Sequence, residues 1–271
     1  MESEEARASA APGAVARALQ HLRAIAGPER NAHTNRDLAA LLALTAGILN
    51  SVGFMAIALY TSHMTGLTAM LADNLALGAL DVALLCAVGI GAFVAGAACC
   101  ALLFNWGRRR GHHSRYALVL LVEALLVLLV GLIAHELTSG GRDWVLIGLL
   151  GFTMGLQNAI ITKISNAQIR TTHVTGMVTD IGIELGKLVY PRRAGDPDPV
   201  RPHLERLRLH ALLVGAFFAG GLIGALAYGA IGFATVVPTA SILLVLAAIP
   251  VVDDLRGLGR RRAERSSGAG D

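Results

Sequence analysis

Six apolar runs, 38–59, 82–104, 116–134, 144–162, 210–228 and 235–251, dominate this chain of 271 residues. Each approaches the roughly 20 residues that an α-helix needs to cross the hydrocarbon of a bilayer. Inside lipid no water satisfies a backbone N–H or C=O, so a spanning segment must be a helix or part of a closed barrel. Barrel strands alternate apolar and polar residues over about ten positions, whereas these runs are continuously apolar and rich in Leu, Ala and Gly. The expected fold is all-α: a polytopic helical membrane protein. With 54% of residues hydrophobic and 15% charged, the charges collect between the runs. There they avoid a cost of about 3 kcal/mol each at the bilayer centre.

Three parts follow. Residues 1–37 form a cytoplasmic tail in which Val15, Leu19, Leu22 and Ile25 recur at helical spacing, the pattern of an amphipathic helix on the membrane surface. Residues 38–250 form the membrane domain, and 251–271 a basic, flexible tail carrying Arg260, Arg261 and Arg262. The start, Glu2-Ser3-Glu4-Glu5, is acidic and lacks the apolar core of a cleavable signal peptide. A net charge of +4, carried mostly by loop arginines, fits membrane orientation and gives no sign of nucleic-acid binding. Cys86, Cys99 and Cys100 lie in or beside apolar runs with neither disulfide nor metal-ligand spacing, so no metal and no cofactor is expected.

One motif occurs twice. Ser62-His63-Met64-Thr65-Gly66-Leu67-Thr68 returns as Thr172-His173-Val174-Thr175-Gly176-Met177-Val178-Thr179. Upstream, Asn50 is matched by Asn158, which follows Gln157. Downstream, Gly91-Ala92-Phe93-Val94-Ala95-Gly96 is matched by Gly215-Ala216-Phe217-Phe218-Ala219-Gly220. The pattern predicts an internal duplication, with repeat 1 over about 38–134 and repeat 2 over about 143–250.

The segments behind the motifs, 64–80 and 174–190, are shorter and more polar than their neighbours. If both crossed the membrane, the arginine clusters at 108–110 and 260–262 would face opposite sides, against the positive-inside tendency. Six full spans plus two short motif-bearing segments place the basic loops together inside; seven or eight spans are the alternative. Three crossings per repeat make the halves inverted, the arrangement in which transporters bring broken helices to mid-membrane. A break at Gly47, Asn50 or Gly53 would then carry His63 below the outer interface.

Within the motif, a threonine hydroxyl suits an N-cap and glycine admits close approach of a backbone or ligand. Thr65-Gly66 and Thr175-Gly176 are therefore expected to open half-helices whose positive ends face a pathway. His63 and His173 occupy equivalent positions, and histidine is the residue type suited to proton-coupled transport near neutral pH. Asp73, Glu123, Asp180 and Glu184 are acids within apolar segments and candidates for a proton or cation relay; Glu184 with Lys187 reads equally as a structural ion pair. Asn50, Gln157 and Asn158 bind a solute or bridge helices. Arg170 either holds an anion or anchors the cytoplasmic side. Gly151 with Gly155, Gly182 with Gly186, and Gly220 with Gly224 permit close helix packing, within one chain or in a homo-oligomer. His135-Glu136 lacks the second histidine of a zinc-protease helix, and no nucleophile elbow, Walker loop or dinucleotide fingerprint occurs, so the chain is not expected to be an enzyme.

In these motifs the chain resembles the YoaK family of bacterial multi-pass membrane proteins, over about 41–245. Gly155-Leu156-Gln157-Asn158-Ala159 and Arg170-Thr171-Thr172-His173-Val174-Thr175-Gly176 follow that family's second motif. The first motif keeps Met64-Thr65-Gly66 and Thr68 but departs elsewhere: Asn50 stands for the family's Asp, His63 for Asn and Leu67 for Asn. The resemblance implies a helical protein of the bacterial inner membrane and supplies no substrate. The sequence reading is a transporter or channel for an unidentified small polar solute, with proton coupling through the acids. A non-transporting membrane scaffold or sensor is the alternative, and the lipid bilayer is the partner in either case.

Overall fold

A computed structural model describes residues 32–110, 115–137, 139–164, 172–191 and 200–248. These residues form α1 (Ala32–Ile57), α2 (Met64–Ala76), α3 (Leu80–Arg109), α4 (Arg115–Ile133), α5 (Ser139–Ile164), α6 (Val174–Val189), α7 (Leu204–Ile231), a 3-10 turn (Gly232–Thr235) and α8 (236–248). Among the described residues there is no strand. The expected surface helix around Val15 to Ile25, Arg170 and the basic C-terminal tail lie outside them.

Five stretches are long and apolar enough to cross a membrane: His33–Ile57, Leu80–Arg109, Tyr116–Ile133, Gly140–Lys163 and Leu204–Ala248. The chain reads as a multi-pass membrane protein. The last stretch covers 45 residues because α7 runs into α8 through a corner. Gly232 turns there with φ 60 and ψ −139, a region that only glycine enters without strain. By contrast α2 and α6 hold 13 and 16 residues. At 1.5 Å per residue they reach about 20 and 24 Å, short of the roughly 30 Å of hydrocarbon.

Contacts between helices fix their directions. Gln157 Nε2 donates to Leu42 O at 3.2 Å and to Thr45 Oγ1 at 2.9 Å. Leu150 lies beside Gly53, and the Arg142 guanidinium donates to Ala56 O at 3.4 Å. Numbers rise along α1 as they fall along α5, so the two helices are antiparallel. Along α3 and α5 they rise together, Gly89 beside Ile147 and Gly96 beside Phe152 and Leu156. The turn Leu77–Ala79 reverses the chain, and Leu67 of α2 returns to Gly89 of α3. It follows that α2 runs antiparallel to α3 and in the same direction as α1.

The later helices follow from the same kind of contact. Leu44 of α1 meets Gly220 of α7, and Ile48 meets Gly224, so α1 and α7 are parallel. Asp180 of α6 pairs with Arg206 of α7, and Glu184 with the N–H of His203, which makes α6 antiparallel to α7. Hence α6 continues the direction of α5, as α2 continues that of α1. Each short helix is the offset continuation of the long helix before it.

The most extensive pairings are α1 with α7 and α3 with α5, and glycines permit them. A Cβ on Gly47 would strike Phe217 O, and one on Gly155 would strike Phe93 O. Such close backbone approach gains dispersion and interhelical contacts that lipid cannot compete for. Around these crossings one cluster joins Leu42, Ala46 and Leu49 of α1 to Leu120 and Val127 of α4, Met154 and Ile161 of α5, Leu213 of α7, and Leu243 of α8.

α1 is continuous through Gly47, Asn50 and Gly53, so the break expected at one of them falls elsewhere. Those glycines serve packing: Gly47 against α7, and Gly53 against Thr61 and Leu150. The helix stops at Ala58, which has φ 55. An L side chain in the left-handed region costs roughly 1 kcal/mol. Ala58→Gly is therefore expected to stabilise the purified protein by about 1 kcal/mol, read as a higher thermal midpoint. An unchanged or lower midpoint would mean that the strain is not there.

Candidate functional site

Both helix breaks are tied in the same way. Asn50 Oδ1, buried on α1, accepts from the N–H of Ser62 at 3.1 Å and from its hydroxyl at 2.9 Å. Asn158 Oδ1 on α5 accepts from the Thr172 hydroxyl at 2.6 Å. In each case the asparagine reaches the hydroxyl residue that immediately precedes the motif histidine. An amide oxygen with two lone pairs suits this role, because it replaces backbone bonds lost where the helix ends. Asn50→Leu removes both bonds and leaves a buried N–H without a partner, at a cost of about 2 kcal/mol. Asn158→Leu removes one side-chain bond and should cost about half as much. Thermal midpoints of the two variants in the same detergent check the ordering, and a costlier Asn158 variant would reverse it.

The motif itself is a helix start of a different kind from the one the sequence suggested. His63 and His173, not the threonines, occupy the N-cap positions, and neither makes a side-chain capping bond. Thr65 and Thr175 fall in the first turn, exposed. Each imidazole lies over the glycine three residues on: a Cβ on Gly66 would strike His63 Nδ1, and one on Gly176 would come within 2.8 Å of His173 Nδ1. The His-x-x-Gly spacing thus has a steric cause, since positions three apart share a helix face and only hydrogen leaves room for the ring.

Glu123 presents a different problem. It is fully buried on α4, and neither carboxylate oxygen has a hydrogen-bond partner. On the same helix Val119 packs with Leu156 and Ile160, while Val130 packs with Leu146 and Leu150. α4 therefore runs antiparallel to α5, and Glu123, between those contacts, falls at the level of Thr153 and Gln157. Gln157 is also fully buried, and its Oε1 has no partner although its Nε2 joins Thr45 and Leu42. Cys100 on α3 is buried in one cluster with Val119 of α4 and Leu156 and Ile160 of α5. A buried polar atom left without a partner costs about 1–3 kcal/mol, so this level of the core is costly.

The family model for "Protein of unknown function (DUF1275)" matches residues 38–249, the extent of the membrane domain just described. The chain belongs to the DUF1275 family. No curated protein and no solved structure matches it, and the family description assigns no activity.

The other candidate residues of this DUF1275 domain fall into two groups. Near the start of α7, Arg206 donates to Asp180 Oδ2 at 3.0 Å, and His210 Nδ1 lies 3.6 Å from the same oxygen. Glu184 accepts from Lys187 Nζ at 2.8 Å and from the N–H of His203 at 2.7 Å. Both oxygens of Glu184 are thus engaged: Lys187 pairs with it along α6, and the bond from the His203 N–H fastens α6 to the start of α7. Asp73 stands apart, exposed near the end of α2 and away from the core that holds Glu123. His63 and His173 are exposed as well, and extensive helix pairings join α2 to α3 and α6 to α7, not α2 to α6. The two motif helices thus pack chiefly on different partners. Among the described residues no group of three His, Cys, Asp or Glu side chains is placed to hold a metal.

Sequence reasoning missed Thr45, Arg142, Arg206 and His210. Thr45 meets Gln157 across 112 residues and Arg142 meets Ala56 O across 86, separations with no local signal. Arg206 and His210 carried one: they recur four apart on a helix, on the face that meets the Asp180 and Glu184 side of α6.

Proposed function

We propose that the protein is a membrane transporter for a small polar solute, made of two inverted copies of a three-crossing unit. In this reading Glu123 takes up and releases a proton as a pathway opens between the halves. The observation that carries it is the Glu123 carboxyl, wholly buried at mid-depth with both oxygens unpartnered. Packing gains nothing from a carboxyl there, and an ionised one would be strongly disfavoured without a counter-charge. A group that is costly at rest and lies in a core built from both halves is suited to being visited by a proton or solute.

Inversion is supported by the antiparallel pairing of α1 with α5, with α2 and α6 as continuations rather than further crossings. Matched contacts support a duplication: Gly47 with Phe217 against Gly155 with Phe93, Gly220 with Leu44 against Gly96 with Phe152, and the two asparagine ties. The proposed location is the bacterial inner membrane, on the YoaK resemblance. A non-transporting scaffold or sensor is the second reading. It draws on α6, where Gly182 and Gly186 face open space beside exposed Val178, Ile183 and Leu185, a surface suited to assembly.

Two experiments test the proposal. Single cysteines at Asp81 and Arg201 should be labelled from opposite sides of the membrane; labelling from the same side would remove the inverted halves. Proteoliposomes should then take up protons when given a transported solute, and Glu123→Gln should not. Proton uptake that survives in the variant would exclude Glu123 from coupling.

A further inference from the structure

The unpartnered side-chain atoms of Glu123 and Gln157 are all acceptors. Glu123 offers Oε1 and Oε2, and Gln157 offers Oε1, none with a donor. The Gln157 amide nitrogen already serves Leu42 O and Thr45 Oγ1. Leu120 and Val127 lie one turn either side of Glu123, and Met154 and Ile161 flank Gln157. All four belong to one cluster with Leu42 and Leu49, which flank Thr45. The three polar side chains are thus the polar centre of a single apolar cluster, at one level.

Counting donors narrows what fits. A proton on Glu123 turns one of the three acceptors into a donor and leaves at least one acceptor unmet. An anion adds acceptors. A polyol brings hydroxyl donors, but each hydroxyl oxygen also needs a donor, and with Glu123 ionised these groups supply none. A bare metal ion asks for about six oxygens. An ammonium head group supplies three or more N–H donors on a compact cation and no acceptor, and its charge offsets that of an ionised carboxylate.

Building on the transport reading above, we propose that Glu123 and Gln157 form the binding site for a small cation bearing N–H donors, ammonium or a primary amine. The carboxylate holds the charge and the Gln157 carbonyl takes a second N–H. The surrounding leucines and methionine accept a short alkyl group.

The test uses the full chain purified in detergent. Thermal unfolding is followed against methylammonium, against tetramethylammonium, which has the charge but no N–H, and against sodium. Methylammonium should raise the midpoint saturably, and the other two should not. Glu123→Gln and Gln157→Leu should each weaken the apparent affinity at least tenfold; if the first variant does not fold, the second decides. An equal shift with tetramethylammonium or sodium, or an affinity unchanged in the folded variants, overturns the assignment. Flux in proteoliposomes separates this inference from the reading beneath it. Methylammonium that binds but never crosses keeps the site and ends the transport reading. Proton-coupled flux of another solute, without methylammonium binding, ends the amine assignment alone.

Discussion

Replacing Glu123 by leucine is expected to stabilise the membrane domain and abolish proton-coupled flux in the same molecule. The carboxyl has no partner at either oxygen, so its removal ends a desolvation penalty of about 1–3 kcal/mol. Leucine fills a similar volume and meets Val119, Leu120 and Val127 on its own helix face, all buried. A net gain of about 2 kcal/mol follows, read as a higher thermal midpoint in detergent. Stability and function should move in opposite directions, as expected where a costly group is kept for what it does. A loss of stability comparable to that of a cavity, about 2 kcal/mol or more, would mean that Glu123 has a partner and that the orphaned-carboxyl argument is wrong.

The helices were legible because lipid imposes length and continuous apolarity together, and Glu123 was legible as a single charge inside such a run. The break after α1 was not. Ala58-Leu59-Tyr60-Thr61-Ser62 contains neither Gly nor Pro, the usual markers of a helix end. The residues that looked like breakers, Gly47 and Gly53, are there because another segment lies against them. Asn50 is legible as a polar group that bridges segments, but its partner is not: it ties the chain at Ser62, twelve residues on, rather than breaking α1. The motif histidines are legible as equivalent residues because the sequence repeats the motif, but their packing partners are not: α2 packs chiefly on α3, and α6 on α7.

The helix directions bear on the short segments. The sequence left open whether 64–80 and 174–190 enter and leave by one face or cross. In the structure α2 continues the direction of α1, and α6 that of α5. The N-terminal ends of α2 and α6 then lie inside the domain, each beside an asparagine tie, while the paired acids near α7 hold the far end of α6 alone. Their counterparts in the first half are apolar, Val82 and Cys86 for Arg206 and His210 by the offset of the Gly-Ala-Phe elements. The two half-helices are therefore held with different chemistry, α6 by ions and α2 by apolar contact. On the transport reading, such unequal restraints would let one end open without the other, as alternating access requires.

The glycine crossings give the sharpest test of whether the halves pack alike. Gly96→Ala would bring a Cβ within 2.8 Å of the Phe152 carbonyl carbon, and Gly220→Ala within 2.9 Å of that of Leu44. These neighbours are backbone, so relief requires a helix to move. Each substitution should cost about 3 kcal/mol, and the two costs should agree within about 1 kcal/mol, a scatter set by context. Gly182 and Gly186 show the same spacing in sequence but face open space. There alanine should be neutral or stabilising by up to about 1 kcal/mol through helix propensity. Unfolding midpoints of the four variants, measured in one detergent, separate the possibilities. Equal losses at 96 and 220 mean that one packing rule built both halves. A loss at only one of them means that the resemblance between halves is confined to the motifs. A loss at 182 or 186 means that α6 is covered in the folded protein by a second copy of the chain, and the assembly reading would gain what the transport reading does not need.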